Sequence, residues 1–263
     1  MTVTQRMNAE RLVVLGWGRA ILMQLAHPLV AQGVADHSDF RSTALSRVRR
    51  LHGTIKAMLA LTFGDPAAAE AAAGRINAIH DRVHGHLAED AGIWTAGTPY
   101  TATDPQLLTW VQATLLDSMP LAYDQLIAPL ARADLDAYCA EASAASPRLR
   151  LAAGSVPSSR VELDAYLGRM LEGPTIAVTS AARELAREVI EPPGSYALWP
   201  VSSVARLASI GWLPPRIRIA YGFSWDDEDD RRLKAWCRRV RFMRRLTPDW
   251  LAQWPAARRS ARM

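Results

Sequence analysis

Cysteine is scarce in this chain of 263 residues: Cys139 and Cys237 lie far apart and fit no metal-ligand spacing. Two isolated thiols suit a reducing compartment, where they stay free. Runs of β-branched residues are few, and no ladder of alternating strands is legible. Long uninterrupted apolar runs are missing as well. The most apolar early stretch, Leu12 to Val34, is broken by Arg19, Gln24 and His27, so no membrane span is expected there. Met1 to Arg6 shows no charged region leading into an apolar run, so no signal peptide is expected and the location is expected to be cytoplasmic. The chain has no Gly-x-Gly-x-x-Gly, no P-loop, no Gly-x-Ser-x-Gly and no His-Glu-x-x-His, which removes the common nucleotide-binding and hydrolase readings. Histidine is absent after residue 86, whereas His27, His37, His52, His80, His84 and His86 crowd the first third.

What remains is an alanine-rich composition, nearly half hydrophobic, of the kind found in soluble helical proteins. The length suffices for one large core or two small ones, and no internal repeat is visible. The expectation is a single all-α domain spanning residues 1–263. Residues 8–34 read as one long helix or two broken ones, with a kink where Pro28 follows His27, because proline cannot donate to the preceding turn. A turn over residues 33–40 leads to a helix over 42–63. Asp65 then caps a helix that starts at Pro66 and runs to about Leu87. Residues 92–103 read as loop, and Asp104-Pro105 starts a helix that Pro120 is expected to close. A short helix near 123–131 and an amphipathic one over 134–144 follow. Residues 146–160 are the best candidate for a mobile loop or a weak boundary. Further helices are expected at 161–172, 175–190, 200–211, 214–221 and 226–245, punctuated by Pro192-Pro193-Gly194 and Pro214-Pro215.

Residues 75–87 are the stretch around which the chemistry gathers. Ile76, Ile79, Val83 and Leu87 recur at helical spacing, and His80 falls within their stripe. An imidazole there is either a core histidine with both ring nitrogens satisfied or a metal or heme ligand. His80 and His84 share a helical face and could hold one metal ion, but no carboxylate completes the set at helical spacing. A heme site needs less, one neutral imidazole among apolar helices, with an arginine for a propionate or for oxygen. Arg50 lies four residues from Thr54 and so beside it on a helix. Arg50 is also one of a run with Arg47 and Arg49, which reads equally as a solvated charged face.

Several fragments, taken in order, resemble the MpaB-type oxygenase and rubber oxygenase (latex-clearing protein) family. They are Gln24-Leu25-Ala26-His27-Pro28, Val34-Ala35-Asp36-His37-Ser38-x-Phe40, Arg50-x-x-x-Thr54, Phe63-Gly64 and Ile76-Asn77-Ala78-Ile79-His80-Asp81-Arg82-Val83. The likeness continues in Tyr100-x-Ala102-x-Asp104-Pro105-x-Leu107-Leu108-x-Trp110-Val111-x-Ala113-Thr114-Leu115 and in Leu213-Pro214-Pro215-Arg216-Ile217-Arg218-x-x-Tyr221-Gly222-x-x-Trp225.

The resemblance implies an all-α, globin-reminiscent fold holding heme b, with His80 as proximal iron ligand. It places Arg50 and Thr54 by the distal pocket, with His27, His37 and the helix carrying Gln112 lining or supporting it. It implies dioxygen and a hydrophobic, unsaturated small molecule as substrates; a non-catalytic heme carrier or gas sensor is the alternative. Two positions depart from the rubber oxygenases. Gly53 stands where they carry a distal lysine, so that residue cannot close the sixth iron position. Gln112 stands where the family commonly has a histidine, and an amide hydrogen-bonds but does not shuttle protons near neutral pH. The arginine-rich stretch over residues 231–263 could meet nucleic acid or anionic lipid, yet it lacks zinc-finger or helix-turn-helix spacing. It reads as a solvated helix face with a frayed tail, and no nucleic-acid partner is expected.

Overall fold

The computed structural model describes residues 1–37, 44–190 and 199–260. Fourteen α-helices and one two-stranded hairpin make up these residues. The chain opens with α1 (Val3–Ala9), capped by a reciprocal pair of bonds between Thr2 and Gln5. A 3-10 turn (Arg11–Leu15) leads into α2 (Gly16–Leu25), and α3 (Pro28–His37) follows. The expected kink at His27-Pro28 is present: the axis turns by 108° between the segments Arg11–Leu25 and Pro28–His37. Among the described residues, no single helix is long and apolar enough to cross a membrane. The turn expected over residues 33–40 is not found at 33–37, where α3 stays helical to His37; residues 38–40 lie outside the described residues.

Helices α4 (Ala44–Phe63) and α5 (Pro66–His80) pack against each other across the tight Gly64-Asp65 turn. As expected, Asp65 caps α5: its carboxylate accepts the Ala68 N–H at 2.7 Å. Helix α6 (Pro105–Leu126) begins in the same way, with Asp104 accepting from Gln106 and Leu107. It then departs from the sequence expectation, because it runs straight through Pro120. Proline costs a helix one hydrogen bond and a steric clash. Here Leu116, Met119, Ala122, Tyr123 and Leu126 are all buried around it, so burial of the next two turns outweighs the defect.

Helix α6 is the core's axis, with Trp110 wholly buried. Against it lies α2, which carries Gly16 where the backbones meet: a Cβ at that position would stand 2.7 Å from the Ser118 carbonyl oxygen. Around this pair stand α7 (Arg132–Ala145), α8 (Arg160–Glu172), α9 (Ser180–Ile190), α10 (Trp199–Gly211), α11 (Pro215–Tyr221) and α12 (Asp227–Leu246). The Pro192-Pro193-Gly194 break lies outside the described residues. The stretch expected to be a mobile loop is instead anchored, with a 3-10 turn (Ser146–Leu149) packed on α5 and with Leu151 and Val156 buried in the core.

The basic end is not a frayed tail. After the short helix α13 (Asp249–Ala252), helix α14 (Pro255–Ser260) folds back on α1, and the Trp254 N–H donates to the Ala9 carbonyl at 2.9 Å. The buried Glu10 carboxylate receives the Arg244 guanidinium at 2.6 and 2.7 Å and the Gln253 amide at 3.0 Å. This fork-shaped ion pair clamps the two ends of the chain together.

Candidate functional site

Helix α5 ends at His80, not at Leu87, and so the stripe of Ile76, Ile79, Val83 and Leu87 does not form one helical face. Ile79 is 54% exposed. Beyond Asp81-Arg82 the chain extends into β1 (His84–His86), which pairs antiparallel with β2 (Pro99–Thr101), so His84 and His86 lie on a strand and not at a helix end. The change is enforced from outside the segment. Gly85 sits opposite Tyr100, and a Cβ there would stand 2.6 Å from the Tyr100 hydroxyl. Tyr100 is buried beside Leu29, Leu87 and Leu107, a second small core that holds the hairpin on α3.

His80 is half-buried at the last turn of α5. Its imidazole makes no hydrogen bond among the described residues, and burial holds it below the ordinary histidine range; the nearby Asp81 charge opposes this, and the Arg150 charge adds to it. It is therefore neutral at neutral pH, with a ring lone pair free to bind. Asp81 and Arg150 form an ion pair with each other. One turn upstream, the Asn77 amide donates to the Arg148 carbonyl at 3.0 Å, tying α5 to the 146–149 turn. Sequence reasoning missed Asn77 and Arg150, although Asn77 lies inside the motif that drew attention to His80.

His27 sits at the bend between α2 and α3 and is 2% exposed. Its Nδ1 accepts the Leu29 N–H at 3.3 Å, and its ring lies 5.4 Å from that of Trp94. It satisfies an amide at the start of α3 that no preceding turn can reach. Burial pushes it down to about 4, with Asp104 opposing. His37 is exposed at the end of α3; its Nε2 lies 2.9 Å from the His84 carbonyl and so donates to it. Its ring meets Tyr100 edge-on at 6.3 Å. The Tyr100 hydroxyl donates to Asp36 at 2.6 Å, and Gln32 donates to the other oxygen of the same carboxylate at 2.8 Å. Burial and the Asp36 charge both raise the Tyr100 phenol. Tyr100→Phe is expected to loosen the hairpin and lower stability by about 1.5 kcal/mol, measurable by urea unfolding, because it removes a bond to a charged but exposed acceptor.

Gln112 is half-buried on α6 and makes no hydrogen bond among the described residues. Its neighbours are the ones tied in: Thr114 donates to the Val111 carbonyl at 2.7 Å, and Gln24 donates to Thr114 at 3.1 Å. The Trp110 indole donates to the Gln24 carbonyl at 3.4 Å. Two of the motifs quoted above thus meet each other in the α2–α6 contact. Thr54 is exposed on α4, and the side chain of Arg50 lies outside the described residues. Gly53 faces open space, with nothing within 4 Å of a Cβ built there. The structure therefore joins His37 to His84 and places His27 in a packing role. Among the described residues, no hydrogen bond links His80 to His27, His37 or Gln112, and no group of three His, Cys, Asp or Glu side chains could hold a metal ion.

The family described as ER-bound oxygenase mpaB/B'/Rubber oxygenase, catalytic domain, matches residues 4–242. The chain belongs to that family. It is accordingly an oxygenase, an oxidoreductase that works on a small molecule with oxygen. Its relatives include the uncharacterized protein Mb2261 of Mycobacterium bovis and the uncharacterized protein Rv2237 of Mycobacterium tuberculosis. Each is 28% identical to it over 235 residues, covering 87% of both chains. No solved structure matches the chain. The oxygenase match ends within α12, so α13, α14 and the last residues of α12 fall beyond it.

Proposed function

We propose that this oxygenase depends on heme b, with His80 as the proximal iron ligand, and uses dioxygen on a hydrophobic, unsaturated small molecule. The observation that carries the reading is the state of His80: a half-buried, neutral imidazole with no hydrogen-bond partner among the described residues. A core histidine has its ring nitrogens satisfied; a ligand needs one of them free. Both helices expose apolar side chains that a flat apolar group could cover. Leu51 on α4 is 50% exposed and Ile79 on α5 is 54% exposed, while the space beside Gly53 is open. At about 1.5 Å rise per residue, Arg50 and His80 both lie roughly 20 Å from the Gly64-Asp65 turn, so the two positions are about level on adjacent helices.

Bound heme would supply an iron centre that activates dioxygen, chemistry no side chain of the protein provides. The protein's share is ligation, orientation and exclusion of water. His80 offers its lone pair because burial keeps the ring unprotonated. Arg50, always charged, and Thr54, with its hydroxyl, would hold a propionate or orient dioxygen. His27 keeps the α2–α3 bend in shape through Leu29, and His37 holds the hairpin to α3 through the His84 carbonyl. Gln112 can donate a hydrogen bond to substrate but does not move protons.

Protein expressed with heme supplied is expected to show a Soret band. His80→Ala is expected to abolish it, while His84→Ala leaves it in place. A preparation without the band, or a His80→Ala variant that keeps it, overturns the assignment. Oxygen uptake with unsaturated lipids or terpenoids then tests the substrate class.

A further inference from the structure

We propose that the C-terminal face, the outer stripe of α12 together with α13, docks on an anionic membrane surface. Helix α12 buries one side through Leu233 and Cys237, while Arg241 and Arg244 on that side are engaged by the Asp124 carbonyl and by Glu10. Its opposite side ends in Phe242, Met243 and Leu246, which are 62%, 66% and 70% exposed. Two residues beyond α12, helix α13 exposes two more large apolar side chains, Trp250 and Leu251, at 62% and 52%. Helical spacing places Phe242 and Leu246 one turn apart on one line, so this is a contiguous apolar stripe and not scattered residues.

Charge decides the occupant. Arg238, Arg239 and Arg245 are exposed around the stripe and have no ion-pair partner among the described residues. Asp249, the first acid after α12, is already taken by Arg244 at 2.7 Å. The acids of α12 are gathered in its first turn, Asp227 to Asp230, at the far end of the helix. The exposed apolar end is thus the basic end, and the acidic end would be held away from a negative surface. A second copy meeting this face about a two-fold axis would set arginine against arginine. An anionic bilayer supplies both the apolar phase for Phe242, Leu246 and Trp250 and the counter-charge for the arginines. The inference does not depend on heme.

Flotation of the full chain with phosphatidylcholine vesicles, with and without phosphatidylglycerol, tests it. Wild-type protein is expected to float with the anionic vesicles and much less with the neutral ones, and binding is expected to weaken as salt is raised. The double variant Leu246→Asp, Trp250→Asp is expected to bind at least about tenfold more weakly. Reversing Arg238, Arg239 and Arg245 to glutamate should cost about a hundredfold and remove the preference for anionic lipid. All five side chains are exposed, so thermal melts of the variants should match the wild type. The proposal is overturned if wild-type protein ignores both vesicle types, or if neither variant changes binding. It is also overturned if Leu246→Asp instead splits a dimer, or if single-stranded RNA is bound through the same arginines while vesicles are not.

Discussion

Asp117→Ala is expected to destabilise the protein by about 3–5 kcal/mol, the cost typical of leaving a buried charge without its partner. Arg19, on α2, is 5% exposed and Asp117, on α6, is 8% exposed. The guanidinium donates to the Asp117 carboxylate at 2.5 Å, to the Ser118 hydroxyl at 2.6 Å and to the Trp212 carbonyl at 2.7 Å. The other Asp117 oxygen holds Arg160 at 3.0 Å, which is itself paired with Asp164. One carboxylate therefore neutralises cations from two helices in the middle of the fold. Without it, Arg19 keeps its charge, because arginine does not deprotonate, and has no water to solvate it. Arg160 loses less, since Asp164 and solvent remain. Urea unfolding should show the loss as a lowered midpoint at unchanged slope. The double variant Arg19→Met, Asp117→Leu is expected to be more stable than Asp117→Ala, since it removes the stranded charge as well. If Asp117→Ala unfolds at the wild-type midpoint, the buried pair has been misread.

Acidification should reveal His27. Its unfolded value is the ordinary 6.5, and in the fold it is pushed down to about 4. Between these values the unfolded chain binds a proton that the folded chain refuses, so stability falls as pH falls. The contribution is fully present above about pH 6.5, declines through the interval and is exhausted below about pH 4. A shift of this size corresponds to about 3 kcal/mol. His80 is lowered in the same direction, again chiefly by burial. Protonation of His27 would also place a hydrogen on Nδ1, where the Leu29 N–H now donates, and so remove the bond at the start of α3. His27→Gln is expected to flatten the stability profile between pH 4 and 6.5, at some cost in stability at neutral pH. An unchanged acid slope in that variant would show that His27 is not the group being titrated.

Much of the helical framework was legible because its signals are local. Asp65-Pro66 and Asp104-Pro105 start helices by supplying an acceptor and removing a surplus donor, and neither act needs a distant partner. The bend at His27-Pro28 is equally a property of adjacent residues. The misreadings share the opposite cause. Apolar spacing carried the helix past His80, but Tyr100, distant in sequence, packs over Gly85 and turns those residues into a strand. Three paired residues are too few to show alternation. Pro120 looked like a stop, yet the buried face of the turns before and after it carries α6 through. The stretch 146–160 looked loose because its glycine, serine and proline content hides the two side chains, Leu151 and Val156, that anchor it.

The candidate site divides along the same line. His80 could be singled out from its motif, since the order of short fragments on both sides carries the family resemblance, and the family match bears that resemblance out. The motif could not show that the ring is half-buried and unbonded, or that Asp81 is engaged by Arg150 from a distant turn. Nor could it separate His27, whose lone pair is spent on Leu29, from His80, whose lone pair is free among the described residues. By itself the sequence determined the family, the helical class and the helix starts, because these rest on neighbouring residues and their order. The tertiary structure decided where α5 ends and, among the described residues, which histidine lacks a hydrogen bond and which arginines lack an ion-pair partner, because protonation, solvation and pairing depend on what long-range packing brings alongside.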